Sequence, residues 1–99
     1  MIQQTQITLI SPSGVSIRVL VESALRSELK MIELSLGRIE RKLQDFEQKY
    51  SMHTTEFYRR LTEDELEESL DFIEWVGEYK TLLRLQQKKQ ILQEIQFAD

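Results

Sequence analysis

The sequence predicts a mainly α protein in which an N-terminal β-hairpin precedes two long helices that form an antiparallel pair. A short helix connects them, and we expect the whole to be completed as a dimeric helical bundle. Three observations predict this: apolar residues alternate early in the chain, a heptad stripe follows, and two helix-capping patterns precede a second apolar stretch. With 99 residues the chain is one domain. Its predicted parts are a hairpin over 1–21, a heptad helix over 22–50, a connector over 51–62 and a C-terminal helix over 63–96.

The hairpin is predicted from two runs of alternating apolar residues, 4–10 and 15–21. Between them, Pro12 fixes φ at a turn position, and Gly14 can adopt the positive φ that closes a hairpin turn. A two-stranded hairpin is marginally stable in water. We therefore expect it to lie on a helix or to pair with another chain. The alternating residues are Ile7, Leu9, Val15, Ile17, Val19 and Val21.

The heptad helix carries the strongest pattern in the sequence. Its apolar residues are spaced alternately by four and three over four heptads, which is typical of a helix that pairs along a seam. Acidic residues dominate one flank of the seam and basic residues the other. No proline interrupts the segment, and Gly37 lies off the seam, where it marks a bend or a close contact. The predicted oligomer seam is Leu25, Leu29, Ile32, Leu36, Ile39, Leu43, Phe46 and Tyr50.

Two capping patterns divide the rest of the chain. Thr54 is the predicted N-cap of a short helix over 55–61. Thr62 with Glu65 forms a capping-box pattern, which predicts that the last helix begins at residue 63. That helix carries a broad apolar stripe, and a hairpin with two helices cannot cover it together with the heptad seam. We therefore expect a homo-oligomer, with a dimer favoured, or alternatively a dedicated partner that completes the core.

Composition excludes several functions. The net charge of −4 argues against nucleic-acid binding, and the absence of cysteine excludes thiol chemistry and cysteine-ligated zinc. The single histidine, His53, has no evident orienting partner, and the glycines do not form a phosphate-binding loop. We therefore expect no enzymatic activity, no cofactor and no metal. No apolar run reaches the ~20 residues of a membrane span, and no signal-peptide pattern is present, so the expected location is cytoplasmic.

Acidic and aromatic residues crowd together in the second half of the chain. Such an acidic surface can steer a basic partner, and tyrosine and tryptophan are enriched at interface hot spots. The alternative interpretation is a solvated helix face for the acids and an ordinary core for the aromatics. The predicted partner-binding residues are Tyr58, Glu67, Glu68, Asp71, Glu74, Trp75, Glu78 and Tyr79.

Two short blocks carry a resemblance. Residues 50–57 read Tyr-x-Met-x-x-x-Glu-Phe, and residues 71–75 read Asp-Phe-x-Glu-Trp. This pattern resembles that of small helical prokaryotic proteins that are the antitoxin half of toxin–antitoxin gene pairs, over about residues 40–80. The resemblance implies a non-enzymatic protein that neutralises a toxin or nuclease-like partner. The matching residues are either contacts or framework, and the alternative function is a self-associating coiled-coil structural or adaptor protein. The matches are Met52, Glu56, Phe57, Asp71, Phe72, Glu74 and Trp75.

Overall fold

Three helices build the protein. The computed structural model describes residues 4–13 and 16–97. Within them, α1 spans Arg18–Tyr50, α2 spans Thr54–Thr62 and α3 spans Leu70–Gln93. The predicted mainly helical fold is confirmed, with two long helices and a short one between them.

The heptad stripe determines where α1 is buried and the backbone of Ser51 determines where it ends. The central seam residues Ile32, Leu36, Ile39 and Leu43 are buried, and the remaining seam residues are half-buried. Ser51 adopts a left-handed conformation with φ of 50°, which stops the helix directly after Tyr50, as predicted. A Cβ added at Gly37 would make only an ordinary contact, so this glycine does not mark a close approach.

Helices α1 and α3 pack side by side and run antiparallel. The ion pairs between them show the direction: the end of α1 meets the start of α3 in a 2.7 Å pair between Lys49 and Asp71. Earlier in α1, Glu28 pairs with Lys88 near the end of α3 at 2.9 Å. The predicted antiparallel pairing is thus confirmed. We call the end that carries α2 the closed end, and the opposite end, where α1 begins and α3 finishes, the open end.

Helix α3 of the same chain buries the seam of α1. A single copy therefore covers much of the apolar surface that we expected a second copy to cover. The molecule measures 59 × 32 × 17 Å, which is thin because two long helices lie in a single layer. Its closed end holds a core cluster built from Ile39, Leu43, Phe57 and Trp75. The dimeric completion of the bundle stays a prediction.

The predicted N-terminal hairpin is wrong. Residues 4–13 contain no strand, and residues 18–21 of the second predicted strand are the first turn of α1 instead. Gly14 and Val15 lie outside the described residues. The helix is favoured here because Arg18 and Glu22 form an ion pair one turn apart at 2.9 Å, and because a strand would have had no third strand to support it.

The predicted start of the last helix is also wrong. The Thr62 hydroxyl does not cap a new helix, because it donates to the carbonyl oxygens of Tyr58 and Arg59 within α2. Asp64 then adopts a left-handed conformation with φ of 57°, which ends that helix. The actual cap of α3 is Ser69, whose hydroxyl accepts from the Phe72 amide at 3.1 Å. Residues 63–69 therefore form a connector instead of the first turns of a helix.

In residues 4–13 and 16–97, no helix combines the length and apolar character needed to cross a membrane.

Candidate protein-interaction surface

A stack of aromatic rings organises the closed end. The rings of Trp75 and Phe57 are parallel, with centroids 3.8 Å apart, and both side chains are fully buried. Phe46 stacks on the same indole with centroids 5.4 Å apart, and Tyr50 lies 5.8 Å away. Phe72 packs against Phe57 and Tyr50. The stack therefore joins all three helices, and it places Trp75, a predicted partner-binding residue, in the core.

Two polar contacts fix α2 on this stack. The Trp75 indole Nε1 donates to the Thr54 hydroxyl at 3.0 Å, which satisfies the one polar atom of a buried ring. The backbone amide of Thr54 donates to the Glu47 carboxylate at 2.8 Å. The prediction that Thr54 is the N-cap of α2 is therefore wrong. Thr54 is the first residue of the helix, and the N-cap is His53. The Glu47 carboxylate at the helix N-terminus supplies the acceptor that a cap side chain would otherwise provide.

Asp71 joins α3 to the end of α1. Its carboxylate accepts hydrogen bonds from both the Tyr50 hydroxyl and the Lys49 ammonium group. These donors lower the pKa of Asp71, and the same contacts raise the pKa of Tyr50 and of Lys49. Asp71, a predicted partner-binding residue, is therefore engaged within its own chain.

Glu74 and Glu78 are engaged in the same way. Both pair with Lys42 of α1, Glu74 at 2.6 Å and Glu78 at 3.7 Å. The hydrogen bond to Glu74 is the main cause that raises the pKa of Lys42.

The predicted aromatic contacts, Tyr58 and Tyr79, meet edge to face with centroids 5.3 Å apart, and both are half-buried. These two rings form a contact between α2 and α3, and both remain partly exposed to solvent.

The connector over residues 63–69, which we call the acidic segment, is a largely exposed, charged part of the closed end. Arg59 pairs with Glu63 and, at 2.9 Å, with Glu65. Glu67 and Glu68 are exposed and make no ion pair within the described part of the chain. Of the predicted partner-binding acids, these two are the ones that remain available to another molecule.

A neighbouring ion-pair network holds α2 beneath the acidic segment. Glu56 accepts hydrogen bonds from Arg59 and Arg60, and these bonds lower the pKa of Glu56 to about 2. The two arginines are therefore neutralised by nearby glutamates and do not form a free phosphate-binding site.

Exposed apolar residues lie directly beside the acidic segment. Leu70 is 86% exposed and Ile73 is 56% exposed, both on the outer side of the first turns of α3. Sequence reasoning placed both in a broad apolar stripe but did not identify them as surface residues. Their exposure could have been predicted from their spacing to Trp75, because residues five and two positions before the indole do not share its face of the helix.

The residues of the resembling blocks form the framework of the closed end. The apolar members, Phe57, Phe72 and Trp75 with half-buried Met52, belong to or pack against the core cluster. The acidic members all hold ion pairs with basic residues of the chain. Of the two roles that the sequence left open for these residues, the contacts agree with framework.

The single histidine of the chain lies beside a shallow groove. His53 is exposed, and its ring makes no hydrogen bond in the described part of the chain. A shallow groove of about 370 Å³ runs between α1, α3 and the start of α2. Among residues 4–13 and 16–97, no three His, Cys, Asp or Glu side chains are grouped so that they could hold a metal ion. The groove is lined by Glu40, Leu43, Gln44, Glu47, His53, Thr54, Thr55, Tyr79 and Leu82.

Comparison with known proteins gives no relative: no family model, no curated protein and no solved structure matches this chain.

Proposed function

We propose that this chain is a non-enzymatic protein-interaction module that acts as an antitoxin-like neutralising partner of a basic toxin or nuclease-like protein. The observation that carries the proposal is the surface of the closed end. Residues 56–78 contain nine Asp or Glu and only two Arg, and the acidic segment lies directly against exposed Leu70 and Ile73.

Charge and apolar surface have separate roles in this proposal. The excess of acids on the closed end creates a negative potential that accelerates encounter with a basic protein. Affinity then comes from burying apolar side chains such as Leu70 and Ile73 at the centre of the contact, with Glu67 and Glu68 at its rim. The aromatic stack beneath holds these residues on a rigid base, which lowers the entropy lost on binding.

The class of partner comes from the resemblance of the two short blocks to antitoxins of prokaryotic gene pairs. An antitoxin has to cover a functional surface of a toxin, and toxins that act on nucleic acids present basic surfaces. An acidic, non-enzymatic helical protein with exposed apolar residues suits that task.

The test is co-expression with the product of the adjacent open reading frame. We expect that product to arrest growth when expressed alone, and the arrest to be relieved when this chain is co-expressed. We also expect a complex that co-purifies and whose association rate falls as salt rises. Absence of both a complex and any relief of growth arrest would contradict the proposal.

Charge reversal localises the contact. The double variant Glu67→Lys with Glu68→Lys should weaken the complex at least about tenfold and reduce the salt dependence of its association rate. These positions make no ion pair in the described chain, so the fold should survive. The matched control is Glu40→Lys with Asp45→Lys, which changes the net charge equally at exposed α1 positions that also lack described ion pairs. Equal weakening by both double variants would show that net charge alone, and not the acidic segment, determines binding.

A further inference from the structure

We propose that a second copy of this chain docks on the outer face of α3, so that the two α3 helices pair antiparallel about a two-fold axis. The outer face is the side of the helix that carries Leu70, Ile73, Lys80 and Arg84. The proposal does not rest on the proposed function, because it concerns the isolated chain. It names a contact for the homo-oligomer that the sequence predicts.

The outer face has no cover within the described part of the chain. Its four residues are separated by three, seven and four positions, so they lie on one side of the helix. All four are exposed, and the apolar ones, Leu70 and Ile73, are 86% and 56% exposed. The opposite side of α3 carries Trp75 of the core cluster. The outer face therefore remains available after α3 has paired with α1.

Charge changes sign along this helix and the connector before it. Residues 63–78 contain eight Asp or Glu and no Lys or Arg, whereas residues 79–93 contain four Lys or Arg and no Asp or Glu. Several of these charges pair with α1. Glu67 and Glu68 before Leu70, and Lys80 and Arg84 after it, form no ion pair within residues 4–13 and 16–97. The unpaired charges thus give this side of the molecule an acidic start and a basic middle.

A surface with this charge pattern is complementary to itself. A two-fold axis midway between Leu70 and Arg84 places the acidic start of each copy against the basic middle of the other. A parallel pair would place like charges together, which costs free energy. A basic protein would complement the acidic start but would meet Lys80 and Arg84 with charge of the same sign. Charge complementarity therefore favours a second copy as the occupant of the whole outer face.

The apolar residues suit the same arrangement. With the axis in this position, Leu70 of one copy faces Arg84 of the second copy, and Ile73 lies close to Lys80 of the second copy. The aliphatic parts of the arginine and lysine side chains can cover the exposed leucine and isoleucine, while their charged groups reach the nearby acids. The contact thus buries apolar surface and pairs opposite charges at the same places.

The dimer would share residues with the contact that we propose for a basic partner. Glu67, Glu68, Leu70 and Ile73 belong to both, so a second copy and that partner should exclude each other. This consequence rests on the proposed function, whereas the dimer itself does not.

Sedimentation equilibrium of the full chain tests the proposal. We expect a monomer–dimer equilibrium at micromolar concentration that weakens as salt rises. Lys80→Glu with Arg84→Glu should weaken dimerisation at least about tenfold, and so should Glu67→Lys with Glu68→Lys, because each double variant places like charges together. The four substitutions combined restore both the opposite charges and the wild-type net charge. Dimerisation of that combined variant should therefore recover.

The matched control is Lys30→Glu with Arg38→Glu, which changes the net charge as Lys80→Glu with Arg84→Glu does. Both control residues are exposed on α1 and form no ion pair in the part of the chain that the structure describes. We expect the control to dimerise nearly as tightly as the wild type. Circular dichroism should show unchanged helicity in every variant, because the replaced side chains are all exposed and glutamate and lysine are good helix formers.

The proposal would be overturned by a wild-type chain that stays monomeric, by an equal loss of dimerisation in the control, or by a combined variant that does not recover. A monomeric chain whose Leu70 and Ile73 are covered only in complex with a basic protein would assign the face to that partner instead. The dimer is measured without any partner, so a failure here is distinguishable from a failure to relieve growth arrest.

Discussion

Replacing Thr54 by valine should destabilise the protein by removing one acceptor. The Thr54 hydroxyl accepts the hydrogen bond of the Trp75 indole at 3.0 Å, and the indole is fully buried. Valine has nearly the same shape as threonine and is also β-branched, so the ring stack around it should persist. The indole N–H would then be buried without a partner, which costs about 1–3 kcal/mol. The backbone contact from residue 54 to Glu47 does not involve the substituted side chain and should remain.

Urea unfolding measures this loss. The single tryptophan reports on the site itself and circular dichroism reports on all helices, and both should give the same midpoint if unfolding is two-state. Protein concentration is held constant, because self-association would add to the apparent stability. Thr55→Val is the matched control: Thr55 is exposed in the same helix turn, and its change should stay within about 0.5 kcal/mol. If Thr54→Val unfolds at the wild-type midpoint, or if Thr55→Val costs as much, the hydrogen bond does not have the assigned role.

Two further changes give measurable outcomes. Gly77→Ala should raise the free energy of unfolding by about 1 kcal/mol in urea titration, because alanine favours a helix and its Cβ would meet open space; a lower stability would contradict this. Glu56 has its pKa lowered to about 2 by Arg59 and Arg60, so its stabilising contribution should be complete above about pH 4.5 and lost as the pH falls toward 2. Stability measured across that range should therefore change less in Glu56→Gln than in the wild type, and parallel pH curves would refute the assignment.

The sequence was sufficient for features that depend on a long repeated pattern. The seam of α1 repeats over four heptads, so its buried face and its end at Tyr50 followed from spacing alone. The antiparallel pairing with α3 followed from two long apolar helices joined by a short connection. What the seam packs against was not predictable in the same way, because α3 of the same chain and α1 of another copy would bury identical residues.

The short elements were not predictable because local patterns there fit more than one structure. Alternation over 15–21 fits a strand, but a helix that continues into the heptad stripe is longer and needs no second strand. The pattern from Thr62 to Glu65 matches a capping box, yet a helix beginning at residue 63 would leave no chain to reverse direction between α2 and α3. Residues 63–69 make that reversal, and Ser69 caps the helix that follows.

The candidate surface was predicted in its charge but not in its details. An excess of acids near residue 67 is visible in the sequence, whereas the choice of which acids are neutralised depends on lysines more than twenty residues away. The Glu47 contact that caps α2 likewise arises only after the chain has turned back on itself. Pairing between distant residues is the information that one sequence does not contain.

The distribution of buried residues along the molecule implies a gradient of local opening. Among the described residues, the buried side chains occur from Ile32 onward in α1, at the start of α2 and at Trp75. Amide hydrogens near the indole should thus exchange with solvent only in global unfolding, whereas those in the first turns of α1 and the last turns of α3 should exchange through frequent fraying. We therefore expect the closed end to be the most protected part of the molecule and the open end to unfold locally.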